Sequence, residues 1–265
     1  MKTNRRDDSL HSLDPPDWDV FGAKAHLMLD DMLDYCRDLP DRPVWQAAPD
    51  EVKASFREAL PHQPTPLSEV HAHFMESILP FAVGNAHPRF MGWVHGGGTP
   101  VGMLAEMLAA GLNANVGGRN QIPVEVEWQV VEWMRELLGF PAGASGIFVT
   151  GTSSANHQAL LVARTRALGE TVRQQGLGSA GLKLRAYASA ETHVSVMAAL
   201  DYAGLGTDAL RAVPVNARYE MDVAALAQLI TEDRNLGLTP FWVVATVGSV
   251  NVGAVDDLEA IAALA

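Results

Sequence analysis

Residues 146–156 read Gly146-Ile147-Phe148-Val149-Thr150-Gly151-Thr152-Ser153-Ser154-Ala155-Asn156, and their pattern decides the fold class. Three apolar, strand-favouring residues predict a short strand at 147–149. A glycine among hydroxyls predicts a tight turn, and 155–168 carries a helical pattern. The alternation then repeats to the last residue. Strands are expected at 184–188, 211–215 and, strongly apolar, at 241–247. Helices are expected at 194–203, after Asp222 (with Val223, Leu226, Leu229 and Ile230 on one face), and from Asp256 or Asp257 onward. Strand–helix alternation at this spacing implies an α/β fold, a mostly parallel sheet with helices on its faces.

Upstream the character differs. Residues 1–17 are polar and end in prolines, which predicts a loose arm. From Trp18 to about Phe81 the pattern is helical, with Phe21, Ala25, Met28, Leu29, Met32 and Leu33 at three- and four-residue steps. Prolines break this region, Val70, Phe74 and Ile78 resume the period, and no strand is expected in it. Past His87-Pro88, a helix opens at Gly98-Thr99-Pro100 and ends near Gly111. A second carries Val126, Val130, Met134, Leu137 and Leu138 and stops at Gly139 and Pro141. The organisation expected is a helical N-terminal segment, 1–85, followed by an α/β domain, 86–265.

Bulk composition narrows the function. Of 265 residues, 48% are hydrophobic and 19% charged, enough apolar material for a packed core. The formal charge of −12 argues against nucleic acid or an anionic membrane as partner, because neutralising phosphates requires a basic face. One cysteine, Cys36, cannot form an internal disulfide and fits a reducing compartment. Polar residues stand where a signal peptide would be apolar, and no run is long enough for a membrane helix. The cytoplasm is the expected location.

In an open parallel sheet, ligands sit outside the carboxyl ends of the strands. Three strand exits carry polar residues: Thr150 to Ser154, Ser189 to His193, and Thr246 to Ser249. At the first, glycine lets a ligand approach the backbone, and hydroxyls with free helix N–H groups suit a phosphate. The plainer alternative is a Ser/Thr helix cap. A nucleophile elbow nearly fits Gly151-Thr152-Ser153-Ser154-Ala155, but its final glycine is alanine and a downstream acid is poorly spaced. Gly176-Leu177-Gly178-Ser179-Ala180-Gly181 matches a dinucleotide fingerprint, yet it follows a helix and precedes a strand, so a flexible surface loop is expected. His193, after the second exit, could stack on a planar ligand, although a lone histidine is more often structural. His71 and His73 beside Glu69 do not share a helix face, so no metal site is expected.

Taken together, these segments resemble the group II pyridoxal-phosphate (PLP) decarboxylases, the aromatic-amino-acid, glutamate and histidine decarboxylase family. The resemblance runs from about Trp18 to the last residue. It is densest in His87-Pro88-Arg89-Phe90-Met91-Gly92, Leu104-Ala105-Glu106-Met107-Leu108, Glu125-Val126-Glu127, Gly151 to Asn156 with Ala163-Arg164, and Val244 to Gly248. It implies a fold-type-I large domain, here incomplete, working as a homodimer whose helical N-terminal segment wraps the partner subunit. The implied cofactor is pyridoxal 5'-phosphate and the implied substrate an amino acid that loses CO₂. Thr152 and Ser153 fall on the family's phosphate-binding turn and His193 on the histidine that stacks against the ring. The third exit brings in Ser249 as a further cofactor contact, and Trp93, Val94 and His95 fall where the family lines its substrate pocket.

Two departures stand out. Gly248-Ser249-Val250-Asn251-Val252-Gly253 places Val250 where the family has a hydroxyl near the cofactor. The family's aspartate for the pyridine nitrogen and its cofactor-linking lysine also have no counterpart. The lysines here are Lys2, Lys24, Lys53 and Lys183, and Lys183 precedes its strand, at the edge away from the ligand. The expectation is therefore a C-terminally truncated, catalytically incomplete chain. Two alternatives stand beside it: a non-catalytic remnant that dimerises or binds phosphate ligands, and a different PLP lyase or aldehyde synthase.

Overall fold

The structure, a computed structural model, describes residues 14–117 and 120–265. It has two compact units, one up to Ala114 and one from Asn115 to Ala265. Composition changes character near residue 86, but the compact units part later, beyond the helix Pro100–Leu112.

The first unit is helical, and its described residues contain no strand. Helix α1 (Trp18–Asp38) begins where Asp17 accepts hydrogen bonds from the N–H groups of Asp19 and Val20, at 2.9 and 3.0 Å. Most of the expected arm, residues 1–13, lies outside the described residues. Helices α2 (Asp50–Ser55) and α3 (Leu67–His73) each follow a proline. After α3 the chain widens into a π-helical stretch, Phe74–Ile78, and then tightens into a 3₁₀ turn at Leu79–Phe81. Pro80 explains the break, because it has no N–H to donate and its ring crowds the carbonyl one turn back. Helix α4 (Pro100–Leu112) is capped by the Thr99 hydroxyl and closed by left-handed Asn113. His71 and His73 serve different neighbours: His71 Nε2 lies 3.3 Å from Asp31 of α1, whereas the His73 ring leans on Phe56.

The motif His87-Pro88-Arg89 has a structural task. Buried His87 accepts the Arg89 N–H at Nδ1 (3.0 Å), so Nε2 carries the proton and donates to the Arg42 carbonyl at 3.1 Å. Arg89 Nη2 donates to the Pro40 carbonyl at 3.1 Å. Together they clamp the turn at Leu39–Asp41.

The second unit is α/β. Its elements are α5 (Ile122–Leu137), α6 (Thr152–Leu168), the short turns α7 (Val172–Gln175) and α8 (Gly178–Gly181), β1 (Leu184–Ser189), α9 (Val194–Tyr202), β2 (Leu210–Val213), α10 (Val223–Asn235), β3 (Thr239–Val244) and α11 (Leu258–Leu264). The three strands form one parallel sheet in the order β2-β1-β3. The β1–β3 register slips between Arg185 and Ala186, where β3 presents Pro240, which cannot donate to the ladder. Side chains alternate across β1. Ala186 packs with Leu160 of α6 and Ala199 and Leu200 of α9. Tyr187 packs on the other face with Val213, Leu226 and Ile230 of α10, and Ile261 of α11. The sheet therefore lies between two helical layers.

Three expectations need correction. Residues 147–149 form no strand, and Ile147 and Phe148 are 67% and 60% exposed. An apolar run becomes a strand only when a neighbour pairs with it, and the described residues offer none there. The segment 176–181 is not all loop, since Gly178–Gly181 winds one helical turn. The strand expected at 241–247 ends at Val244, because the Asp256 carboxylate accepts the Thr246 N–H at 2.7 Å and turns the chain.

One buried polar network links the layers. Asp233 of α10 has no solvent exposure; it accepts the Tyr187 hydroxyl at 2.7 Å and Arg211 Nη1 at 2.7 Å. Burial, then the Asp233 contact, pushes the Tyr187 hydroxyl well above its ordinary range for losing a proton. A raised value favours the protonated, folded form, so this contribution is whole below about pH 10 and lost as pH rises beyond it. Tyr187→Phe leaves an Asp233 oxygen unpartnered and should cost about 1–3 kcal/mol in urea unfolding at pH 7. The gap between variant and parent should narrow as the pH passes 10.

Candidate functional site at the carboxyl edge of the sheet

All three strands run the same way, so their exits share one edge of the second unit. After β1 the chain turns through Ser189, whose buried hydroxyl accepts the Glu191 N–H at 3.1 Å, and reaches His193. His193 is the N-cap of α9 and is exposed. Its Nδ1 accepts the Ser195 N–H at 3.2 Å and lies 2.8 Å from the Ser195 hydroxyl.

Helix α6 begins at the same edge. Gly151 stands at its N-cap position with φ of +113°, a conformation that favours glycine, and offers no side chain to cap its first N–H groups. A Cβ at Gly151 would meet no heavy atom within 4 Å, so the approach is open. Thr152 and Ser153 are exposed with no hydrogen-bond partner among the described residues, whereas Ser154 lies 3.4 Å from the Thr150 hydroxyl. One turn into α6, Asn156 Nδ2 donates to the buried Ser195 hydroxyl at 3.0 Å. That bond ties the open start of α6 to the start of α9, so Thr152, Ser153 and His193 belong to one neighbourhood.

Ser249 behaves differently. It is buried, and its hydroxyl oxygen accepts the Ala254 N–H at 3.1 Å, closing its own turn. Its hydroxyl proton remains for another contact. Asp256, noted in the sequence only as a possible helix start, is the pin of this region. It is buried and its two oxygens accept the N–H groups of Met221 and Thr246, both at 2.7 Å, while Asp257 caps α11. Trp93, Val94 and His95 lie in the first unit and are exposed; the His95 ring stacks at 5.8 Å on Phe90 and 5.9 Å on Trp93. Neither Asn156 nor Ser195 has a role legible in the sequence alone. Asn156 lies four residues after Thr152 on the same helix face, which is the signal that could have found it.

A family model, the pyridoxal-dependent decarboxylase conserved domain, matches residues 49–265. The chain belongs to that family, whose cofactor is pyridoxal phosphate. It is 30% identical over 241 residues to the aromatic-L-amino-acid decarboxylase of Bacillus atrophaeus, covering 89% of this chain and 48% of that protein. It is 27% identical over 265 residues to the phenylacetaldehyde synthase of Petunia hybrida, covering 96% and 51%. Its fold matches the Oryza sativa TDC solved with PLP and tryptamine, at a TM-score of 0.84 and 24% identity over 96% of this chain and 54% of that one. The chain thus spans about half the length of the relatives it matches.

The residues present fit two sides of such a cofactor. The uncapped helix start with two free hydroxyls suits the phosphate, and the exposed imidazole offers a flat face to the ring. In the second unit the lysine described, Lys183, does not fit the covalent side: it lies at the amino end of β1, its carbonyl accepting the Thr239 N–H at 2.7 Å. Asp256→Ala removes the acceptor for two backbone N–H groups and should lower unfolding free energy by about 2–5 kcal/mol, read from urea denaturation. Asn, keeping one acceptor oxygen, should cost less.

Proposed function

We propose that this chain supplies the phosphate and ring seat of a PLP-dependent carboxy-lyase acting on an amino acid. The observation that carries this reading is the Asn156–Ser195 bond, which sets the open N-terminus of α6 beside His193. Thr152 and Ser153 hold the phosphate through their hydroxyls and the first N–H groups of the helix, whose dipole favours negative charge. His193 covers the flat face of the ring. Ser249 has one proton left to give, and Trp93, Val94 and His95 are assigned to the amino-acid side chain. When bound, the cofactor supplies an electron sink for breaking the bond to the carboxyl carbon with release of CO₂.

Assembly as a homodimer belongs to the same proposal. Val101, Leu108 and Leu112 of α4 and Trp128, Trp133 and Leu137 of α5 are all more than half exposed, more apolar surface than a lone domain usually leaves open. No helix among the described residues is long and apolar enough to cross a membrane. With its acidic charge and single cysteine, the chain is assigned to the cytoplasm. A second reading, an aldehyde synthase on the same fold, is favoured by the Petunia relative.

Titrating the purified 265-residue chain with PLP, followed by the cofactor's fluorescence, tests the seat. Saturable binding is expected, with unphosphorylated pyridoxal at least tenfold weaker. Thr152→Ala with Ser153→Ala should weaken PLP by roughly ten- to a hundredfold, the worth of two charge-assisted hydrogen bonds. Equal affinities for PLP and pyridoxal would refute the phosphate seat. Borohydride should fix no cofactor on Lys183.

A further inference from the structure

We infer that Asn156 and Ser195 are positioning residues that hold the His193 imidazole in a single tautomer, with its proton on Nε2. The inference rests on His193 being the ring that faces the cofactor, and it adds how that ring is set.

The direction of the relay is fixed by a donor that cannot be reversed. The Ser195 backbone N–H points at His193 Nδ1, 3.2 Å away, so Nδ1 is an acceptor and carries no proton. The Ser195 hydroxyl, 2.8 Å from the same nitrogen, must then donate to it. Having given its proton, that hydroxyl is left to accept, and Asn156 Nδ2 donates to it at 3.0 Å. Each step orients the next: the amide of α6 sets the hydroxyl, and the hydroxyl sets the ring. A neutral imidazole with a bare Nδ1 bears its proton on Nε2, and no partner for Nε2 exists among the described residues. His193 therefore presents a hydrogen-bond donor, not an acceptor, to whatever occupies the edge. Ser195 is 5% exposed, which protects the relay from competing water. Asn156 lies one turn from Thr152, so the phosphate seat and the ring are braced by the same helix.

Long-range proton–nitrogen NMR spectra of the 265-residue chain with ¹⁵N-labelled histidine test this directly. They should be taken near pH 8.5, about two units above the ordinary histidine range, with His193→Gln identifying the signal. The parent should show a protonated Nε2 and a bare Nδ1. Ser195→Ala and Asn156→Ala should each raise the Nδ1–H population roughly fivefold, the worth of one neutral hydrogen bond. Ser195→Thr, which keeps the hydroxyl, should restore the parent pattern. Nδ1–H as the dominant form in the parent, a measurement that needs no variant to fold, overturns the inference, as does an unchanged tautomer in both alanine variants. Failure of the parent to bind PLP would instead strike the proposed function, and the tautomer spectrum would still decide this point.

Discussion

Leu184, Ala186, Tyr187 and Ala188 of β1 have no solvent exposure, and both edges of that strand are hydrogen-bonded to parallel neighbours. Parallel pairing forces each crossover to return through a helix, so every strand exit falls on one edge. The placement of His193 and of the turn after β3 follows from that constraint, and the Asn156–Ser195 bond brings the start of α6 to the same edge. The alternation of Ala186 and Tyr187 sorts the helices into two layers, each with its own apolar cluster. Burying the Tyr187 hydroxyl is tolerable only because Asp233 accepts it and Arg211 offsets the carboxylate.

Polar side chains that close the chain upon itself do much of the positioning. His87 and Arg89 hold the turn near Pro40, Asp256 holds Met221 and Thr246, and Ser195 holds Asn156 and His193. Each satisfies backbone or side-chain groups that burial would otherwise leave unpaired, which costs more than a hydrogen bond gains. Against this order stand the open features: the exposed run 147–149, the apolar faces of α4 and α5, and the uncapped start of α6. The first two are surfaces that an α/β enzyme normally covers, and the last leaves the first N–H groups of the helix without a side-chain cap.

The sequence and the structure agree where the signal is local. Asp17, Thr99, Asp222 and Asp257 are short polar side chains ahead of apolar periods, and each caps the helix expected there. The strands expected at 184–188 and 211–215 were legible, the second observed as Leu210–Val213, because apolar runs of that length between helices fit a buried parallel sheet. Residues 147–149 show the limit, since their strand signal is as good, yet strand formation needs a partner that no local pattern reveals. Ser249 shows another: its place at a strand exit was readable, but its bond to Ala254 was not.

By itself, then, the sequence determined the α/β class, the helical first unit, the helix starts after Asp222 and near Asp257, and the turn where glycine and hydroxyls open α6. These depend on side-chain period and on the chemistry of neighbours a few residues apart. Only the tertiary structure decided that Asn156 meets Ser195 across 39 residues, that Tyr187 meets Asp233 across 46, and that Asp256 reaches back 35 to Met221. Such contacts arise when the sheet brings distant segments together, and burial then favours the geometry in which these polar groups are paired.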